Sequence, residues 1–507
     1  MIKNVVGSKI LKKEQVLISF LLIALLVLSS GSMVAFAKNN SYVVKPNGHD
    51  DTADIQAAFN ACGASPGCTV QLVRGTYYIS QVAVYGFQGE FVGMGQGVTL
   101  IQALPNLADP NPAYNAPTSA TYPYGLTFTS GLPSSSNPWP ALITFLNGAF
   151  SISGMTITDT YPEPVASPGW YDFGSGPITA LACAINIAGQ QAYASVDHMT
   201  VNGVITSEYG ANMYNGICYN GTSLPLGGSP SEVGPISGTF TMTNSVFNSM
   251  ISGPWIDDTL GATVTVCYNT FINDPGAVTG FFDISNTRIT FCGNQDSTPA
   301  PSNVIFGGES FYNTAAPLLP STVYVLNNNF QVSEGGSAVG LEDATPYNFP
   351  GTPSVLTAVI AGNTFQNSYT GGSNPFYSVI YTITLKSTIV SLNNIAGGGS
   401  DGVYIAGGPG TVTANTITGA DTGVWLDVSS GGHVAANVIK DSVQYGISVT
   451  STNAAGIPFT QPPSSNNFVL GNFVHGSGID DLFWDGLGTG NHWCGNVYQT
   501  SNFLPSC

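Results

Sequence analysis

Basic side chains are almost missing from this chain: ten Lys and Arg in 507 residues, against 28 Asp and Glu. Beyond residue 37 only Lys38, Lys45, Arg74, Arg288, Lys386 and Lys440 remain, facing 27 acidic residues, a balance of about −21. Nucleic acids and anionic membranes are bound through clustered Lys and Arg, so both are disfavoured as partners. Charge of either sign is scarce, at 7% of residues. Gly, Ser, Thr and Asn take its place on the surface, and such a surface gathers little positive charge in acid, which points to an acidic habitat. Histidine is rare as well. His49, His198, His433, His475 and His492 show no metal-ligand spacing such as His-x-x-x-His. No Gly-rich nucleotide motif appears in a strand–turn–helix setting.

Long apolar runs are confined to the start. Lys9, Lys12 and Lys13 precede an apolar run from Val16 to Leu28, and Ala35-Phe36-Ala37 is a small-x-small cleavage site. The run is short for a membrane span. Residues 1–37 are therefore expected to be a secretory signal peptide, 38–85 a cap with the first turn, and 86–507 the body of one exported domain. All eight cysteines fall after residue 37, an even number suited to an oxidising compartment. Proximity pairs Cys62 with Cys68 and Cys494 with Cys507; equivalent places in adjacent repeats pair Cys267 with Cys292; Cys183 and Cys218 remain. The sequence leaves this connectivity open.

What the chain has in abundance is a phrase, Val/Ile-x-x-Asn-x-Phe/Ile/Val. It reads Val266…Asn269…Phe271, Val325…Asn328…Phe330, Ile360…Asn363…Phe365, Val390…Asn393…Ile395, Val412…Asn415…Ile417, Val434…Asn437…Ile439 and Val469…Asn472…Val474. Weaker copies sit around Asn244, Asn294 and Asn496. The steps from Asn244 to Asn269 to Asn294 are 25 residues each, and those from Asn393 to Asn415 to Asn437 are 22 each. A fixed period of this size means one short unit stacked on itself. Eight or nine residues after the phrase comes Gly-Val/Ile-x-aliphatic, as in Gly402-Val403-Tyr404-Ile405. A leucine-rich repeat has a similar phrase, but β-branched residues replace Leu here and helical stretches are missing. A parallel β-helix is favoured. The Asn is read as an internal turn residue whose amide bonds its counterparts above and below. Asp50-Asp51-Thr52 supplies capping side chains for a short helix, with Ile55, Ala58, Phe59 and Cys62 at helical spacing.

Asp50-Asp51-Thr52-Ala53-Asp54-Ile55-Gln56-Ala57-Ala58-Phe59, then Gly67-Cys68-Thr69-Val70 and Gly75-Thr76-Tyr77, resembles the N-terminal cap of pectin-lyase-like right-handed parallel β-helix proteins. The downstream repeats are similar to those of the same superfamily. The resemblance implies an all-β, right-handed parallel β-helix with a short N-terminal capping helix. Lyases, hydrolases, epimerases, tailspikes and adhesins all occur on that fold, so function has to come from a site.

Aligning the repeats exposes acids at the end of the second phrase. Trp255-Ile256-Asp257-Asp258, Phe281-Phe282-Asp283, Phe306-Gly307-Gly308-Glu309 and Gly340-Leu341-Glu342-Asp343 fall at comparable places. Trp425-Leu426-Asp427 and Phe483-Trp484-Asp485 continue the row, and Asn186 and Asn220 precede it. Coils of a β-helix lie about 4.8 Å apart. Asp258 with Asp283 therefore approximates the carboxylate spacing of retaining glycosidases, and Asp258 with Glu309 that of inverting ones. Repulsion at such distances raises one pKa and lets a protonated acid coexist with an ionised base. Asp257, Asp258, Asp283 and Glu309 are the candidate catalytic residues. Trp255, Glu342, Asp343, Asn220 and Arg288 are candidate substrate contacts, joined by Trp170 and Tyr171 from the aromatic-rich inserts at 104–140 and 160–178. Further inserts run at 221–236, 343–354 and 455–466. Clustered acids also suit Ca²⁺, which takes several oxygen ligands; no metal is assigned, with Asp258 and Asp283 the ligands should Ca²⁺ bind.

Polygalacturonase-like members pair Asn-x-Asp and Asp-Asp with Gly-His-Gly and Arg-x-Lys. Asp257-Asp258 matches the second motif, but no Gly-His-Gly follows, and Arg288-Ile289-Thr290 lacks the Lys. The expectation is a secreted, monomeric glycoside hydrolase acting on an extracellular polysaccharide. A Ca²⁺-dependent lyase with Arg288 as base is the second reading, and a non-catalytic glycan-binding adhesin the third.

Overall fold

The computed structural model describes residues 40–507 apart from 81, 104–119, 122–126, 129–140, 159–180, 208–209, 212, 222–234, 251, 274–276, 298–302, 310–318, 333–336, 369–374, 397, 399, 459–460, 503 and 506. The signal segment thus lies outside the described residues. Asn40–Cys507 form one compact unit, and 37 strands join in a single sheet system with parallel pairing between successive coils.

A coil is built from three strands. In one, Thr263–Cys267, Thr270–Ile272 and Ala277–Ser285 follow each other, and each pairs with its equivalent a coil later. The three resulting ladders are called here the first, second and third sheets. Alternation sends apolar side chains inward on each: Val264 and Val266, Phe271, then Phe281. Inside the coil, phenyl rings stack from floor to floor, Phe247 on Phe271 at 5.5 Å and Phe330 on Phe365 at 5.5 Å.

The turn from first to second sheet is fixed by the repeating Asn. Asn415 Oδ1 accepts the backbone N–H and the Nδ2 of Asn393, both at 3.0 Å, and Asn437 Oδ1 does the same for Asn415 at 2.9 and 3.0 Å. The chain of amides runs unbroken from Asn269 through Asn294, Asn328 and Asn363 to Asn496. Buried polar groups need partners, and this ladder supplies them without a charge. The expected structural role of the Asn is what the structure shows.

Helix α1, Thr52–Cys62, buries Ile55, Ala58, Phe59 and Cys62. Phe59 enters the first coils against Phe87 at 5.2 Å, Phe91 at 5.1 Å and Phe145 at 5.6 Å. Its start differs from expectation. Asp51 makes no side-chain cap bond; its fully buried carboxylate accepts the N–H groups of Asn47 at 2.7 Å and Tyr78 at 3.0 Å, tying the helix to the wall. Only Asp50, bonded to the N–H of Thr52 at 2.9 Å, acts locally.

The disulfides Cys62–Cys68, Cys267–Cys292 and Cys494–Cys507 join pairs favoured by proximity or repeat position, and Cys183–Cys218 joins the two cysteines that remained, settling a connectivity the sequence left open. Cys267 and Cys292 are register partners on adjacent coils, with Cα atoms 4.5 Å apart. Among the described residues no helix is long and apolar enough to cross a membrane.

Candidate functional site

The third sheet carries the acids. Its strands Met213–Asn220, Ser252–Leu260, Ala277–Ser285, Asn303–Glu309 and Val339–Asp343 lie side by side. Register resolves what looked like one row into two. Asn220 pairs with Asp257 and Asp257 with Phe282, and Gly308, which pairs with Glu342, continues the same column. Asp258 and Asp283 stand in the neighbouring column, followed by Glu309 and Asp343, which pair with each other. Asp427 continues the line of Glu342 through Ile383 and Ala406. Asn186 belongs to neither, because it pairs with Cys218, two residues short of Asn220.

Alternation decides which side chains face out. Ile256 is buried in the core, so Trp255 and Asp257 point outward. Trp255 packs on the Cys183–Cys218 disulfide and Ala141. It leans across Gly280, where an added Cβ would meet the indole at 2.7 Å, and touches the Phe282 ring at 4.7 Å. The absence of a side chain at residue 280 is what lets the indole lie along the sheet. Gly221 plays a similar part for Asp258, whose carboxylate occupies the place a Cβ would take. Asp258 and Asp283 both adopt φ of 48°, a left-handed bend at the same point of successive coils, where the strand turns its corner.

Electrostatics couple the three acids. Asp257 is held well above the usual carboxylate range, by burial first and then by the charges of Asp283 and Asp258, against hydrogen bonds from the Asp258 N–H and the Trp255 indole. Asp258 is pushed up to about 6, again by burial first and Asp283 second. Glu342 rises to about 7 through burial, with a hydrogen bond from Tyr347 pulling the other way. Carboxylates that carry protons near neutrality are the raw material of general acid catalysis.

The remaining sequence candidates divide. Asn220, only 4% exposed, stands beside Asp257, and its Oδ1 has no hydrogen-bond partner. Glu309 keeps its place by backbone register, but its side chain lies outside the described residues, as do Trp170, Tyr171 and the other insert aromatics. Asp343 does not line the face. It is fully buried and accepts the N–H groups of Thr345, Val355 and Leu356 at 2.9, 2.6 and 3.0 Å, so it holds down the insert that follows. Arg288 opens a first-sheet strand around the corner, exposed, with its guanidinium 4.8 Å from the Tyr324 ring centre. That position removes it from the acids. Among the described residues no group of three acids, cysteines or histidines is arranged to hold a metal ion.

The face is also shorter than the solenoid. Beyond Glu342 its outward side chains Tyr381, Ile383, Tyr404 and Ala406 are buried under Tyr347, Ala455 and Ile457 from two inserts. Sequence reasoning missed this lid. Its one signal was the aliphatic character of Ile383 and Ala406 at positions that alternate outward.

Residues 318–481 match a family model described as a right handed beta helix region. The class is thereby set: an all-β, right-handed parallel β-helix with an acid-bearing outer face. No curated protein matches the sequence. Among solved structures the chain is similar to the mannuronan C-5 epimerase AlgE6 A-module of Azotobacter vinelandii, at 12% identity over 92% of this chain and 100% of that one, with a TM-score of 0.47. It is similar also to the catalytic unit of a thermostable GH87 alpha-1,3-glucanase from Streptomyces thermodiastaticus strain HF3-3, at 14% identity over 92% of this chain and 71% of that one, with a TM-score of 0.47. Likeness of this degree concerns the path of the chain and carries no reaction with it.

Proposed function

We propose that this chain is a secreted glycoside hydrolase that cleaves an extracellular polysaccharide on the outer face of the third sheet. The observation that carries the reading is the coupled set Asp257, Asp258 and Asp283, three carboxylates on two successive coils against a Trp255–Phe282 wall. Adjacent coils lie about 4.8 Å apart, the spacing of a retaining pair. Asp258, with its pKa near 6, donates a proton to the glycosidic oxygen as the bond to the anomeric carbon breaks. Asp283 attacks that carbon and forms a glycosyl ester, and Asp258 then takes a proton from the water that releases the sugar. Asp257 stays protonated beside them and hydrogen-bonds the sugar. Secretion is supported by the apolar segment after Lys9, Lys12 and Lys13 and by four disulfides.

A polysaccharide panel assayed for new reducing ends and for unsaturated, ultraviolet-absorbing product tests this. Reducing ends without absorbance, lost in Asp258→Asn and in Asp283→Asn, are expected, with the first product keeping the anomeric configuration of the substrate by NMR. Unsaturated product would make the protein a lyase. An inverted anomer would move the base from Asp283 to Glu309, two coils from Asp258. A folded protein inactive on every polymer would favour the glycan-binding solenoid.

A further inference from the structure

Among the described residues, the open part of the third face is rich in acceptors and holds no cation. Its described polar groups include the carboxylates of Asp257, Asp258, Asp283 and Glu342 and the Oδ1 of Asn220, which is buried and lacks a donor; the Trp255 indole N–H and the Tyr347 hydroxyl are neutral donors beside them. The positive residues of the repeats all stand elsewhere: Arg288 and Lys386 on or beside first-sheet strands, Lys440 at the end of a second-sheet strand. Histidine does not help. His433 and His492 lie on the first sheet, His475 closes a second-sheet strand, and His198 is paired with Asp197 at 2.6 Å at a first-sheet end. The inserts at 104–140, 160–178, 221–236 and 310–318 contain no Lys, Arg or His at all. No conformation of those loops can therefore bring a cation to this face.

We infer that this face takes an uncharged glycan, laid along the coil axis from the Asn220 coil to the Glu342 coil, and turns uronate-bearing chains away. The inference deepens the polysaccharide reading above and rests on it. Sugar hydroxyls bring the donor that Asn220 Oδ1 lacks and can also donate to the carboxylates. A uronate would place a further anion beside Asp258, Asp283 and the ionised fraction of Glu342 in a partly desolvated site, where like charges repel most strongly. The coil rise is close to the length of one pyranose unit, so sugars and coils stay in step. Asn220 and Glu342 are four coils apart, about 19 Å at the spacing of parallel strands. The insert carrying Tyr347 closes the face at the Glu342 end.

Polymers that differ only in charge test the idea: a polyuronate with its methyl ester, and a neutral glucan with its C6-carboxylated derivative. The full chain is run by affinity electrophoresis through gels holding each polymer at pH 7, with EDTA and again with Ca²⁺. At least one neutral member is expected to retard the protein, its charged partner binding at least tenfold more weakly. Glu342→Lys should narrow that gap, and Arg288→Ala should leave it unchanged. Equal or stronger retardation by charged members, retardation by no neutral member, or Ca²⁺-dependent capture of a polyuronate would each overturn the inference. Neutral binding without new reducing ends would leave it standing and remove the hydrolase. Cleavage confined to uronates would do the reverse.

Discussion

At the scale of single residues, the proton on Asp258 depends on its neighbours. Burial is the larger cause of its raised pKa and Asp283 the second. Asp283→Asn should thus lower the Asp258 pKa from about 6 while leaving it above an ordinary aspartate. Carboxyl ¹³C NMR titration of the two proteins measures it, and an unmoved midpoint would show that the acids are not coupled. An acid that must be protonated also predicts that activity of the wild type falls as pH rises through about 6. The Asn ladder makes a different prediction. Asn415→Ala would strand in the core the backbone N–H of Asn393 and one of its two Nδ2 hydrogens, the other staying on the Ile360 carbonyl. Each unpaired buried group costs about 1–3 kcal/mol, so a loss of about 3–5 kcal/mol is expected in urea unfolding. A shift below about 1 kcal/mol would mean that the coil relaxes to satisfy those groups.

Among the elements, the inserts are anchored as deliberately as the coils. Asp427 is fully buried and accepts Tyr404 Oη at 3.1 Å, Thr450 Oγ1 at 2.9 Å, and the N–H groups of Thr452, Asn453 and Ala454 at 2.9, 3.1 and 2.6 Å. It gathers the start of the insert that shuts the C-terminal half of the third face. Asp427→Ala should free this insert without unwinding the coils, because the coil hydrogen bonds are independent of it. Hydrogen exchange would then speed up at Thr452–Ile457 and around Tyr404, while the Asn415 and Asn437 amides stay protected. Loss of protection throughout would show that lid and coil form one cooperative unit. Here the sequence was partly legible. The acid row was visible, but its division into Asp258, which faces neighbouring acids, and Asp343 and Asp427, which satisfy backbone N–H groups, was not. A carboxylate in a repeat reads alike in either role until the following insert is seen to fold back onto it.

For the whole molecule, several carboxylates bind protons more tightly folded than unfolded. Asp258 is raised to about 6, Glu342 to about 7, and Asp401 to about 7 through burial and the charge of Asp421; Asp257 is also held well above the ordinary range, by burial first. Unfolded carboxyls titrate near 4. Between those values the folded chain holds more protons, so stability is full below about pH 4 and drains away as pH climbs towards about 7. Asp197 and Asp481 are shifted down and oppose this only in stronger acid. Few Lys, Arg and His are present to build up positive charge on acidification. The melting temperature is therefore expected to be higher at pH 5 than at pH 7.5. A higher value at pH 7.5 would contradict the raised pKa values and the acidic habitat together.

The sequence by itself determined the coil. Its 22–25 residue period, inward aliphatic positions and repeated Asn are properties of one unit interacting with copies of itself, so they are written at every repeat. The cysteine pairs were legible only in part: Cys62–Cys68 and Cys494–Cys507 are close in sequence and Cys267–Cys292 are equivalent in neighbouring coils, whereas Cys183 and Cys218 are neither. Tertiary structure decided which acids share a face and how far that face stays open. Those outcomes depend on register across inserts of unequal length and on how the inserts fold back, contacts between distant residues that no local pattern encodes. A slip of one position along a strand reverses a side chain between core and solvent, and the left-handed bend at Asp258 and Asp283 is what keeps them on the outer face beside Asp257.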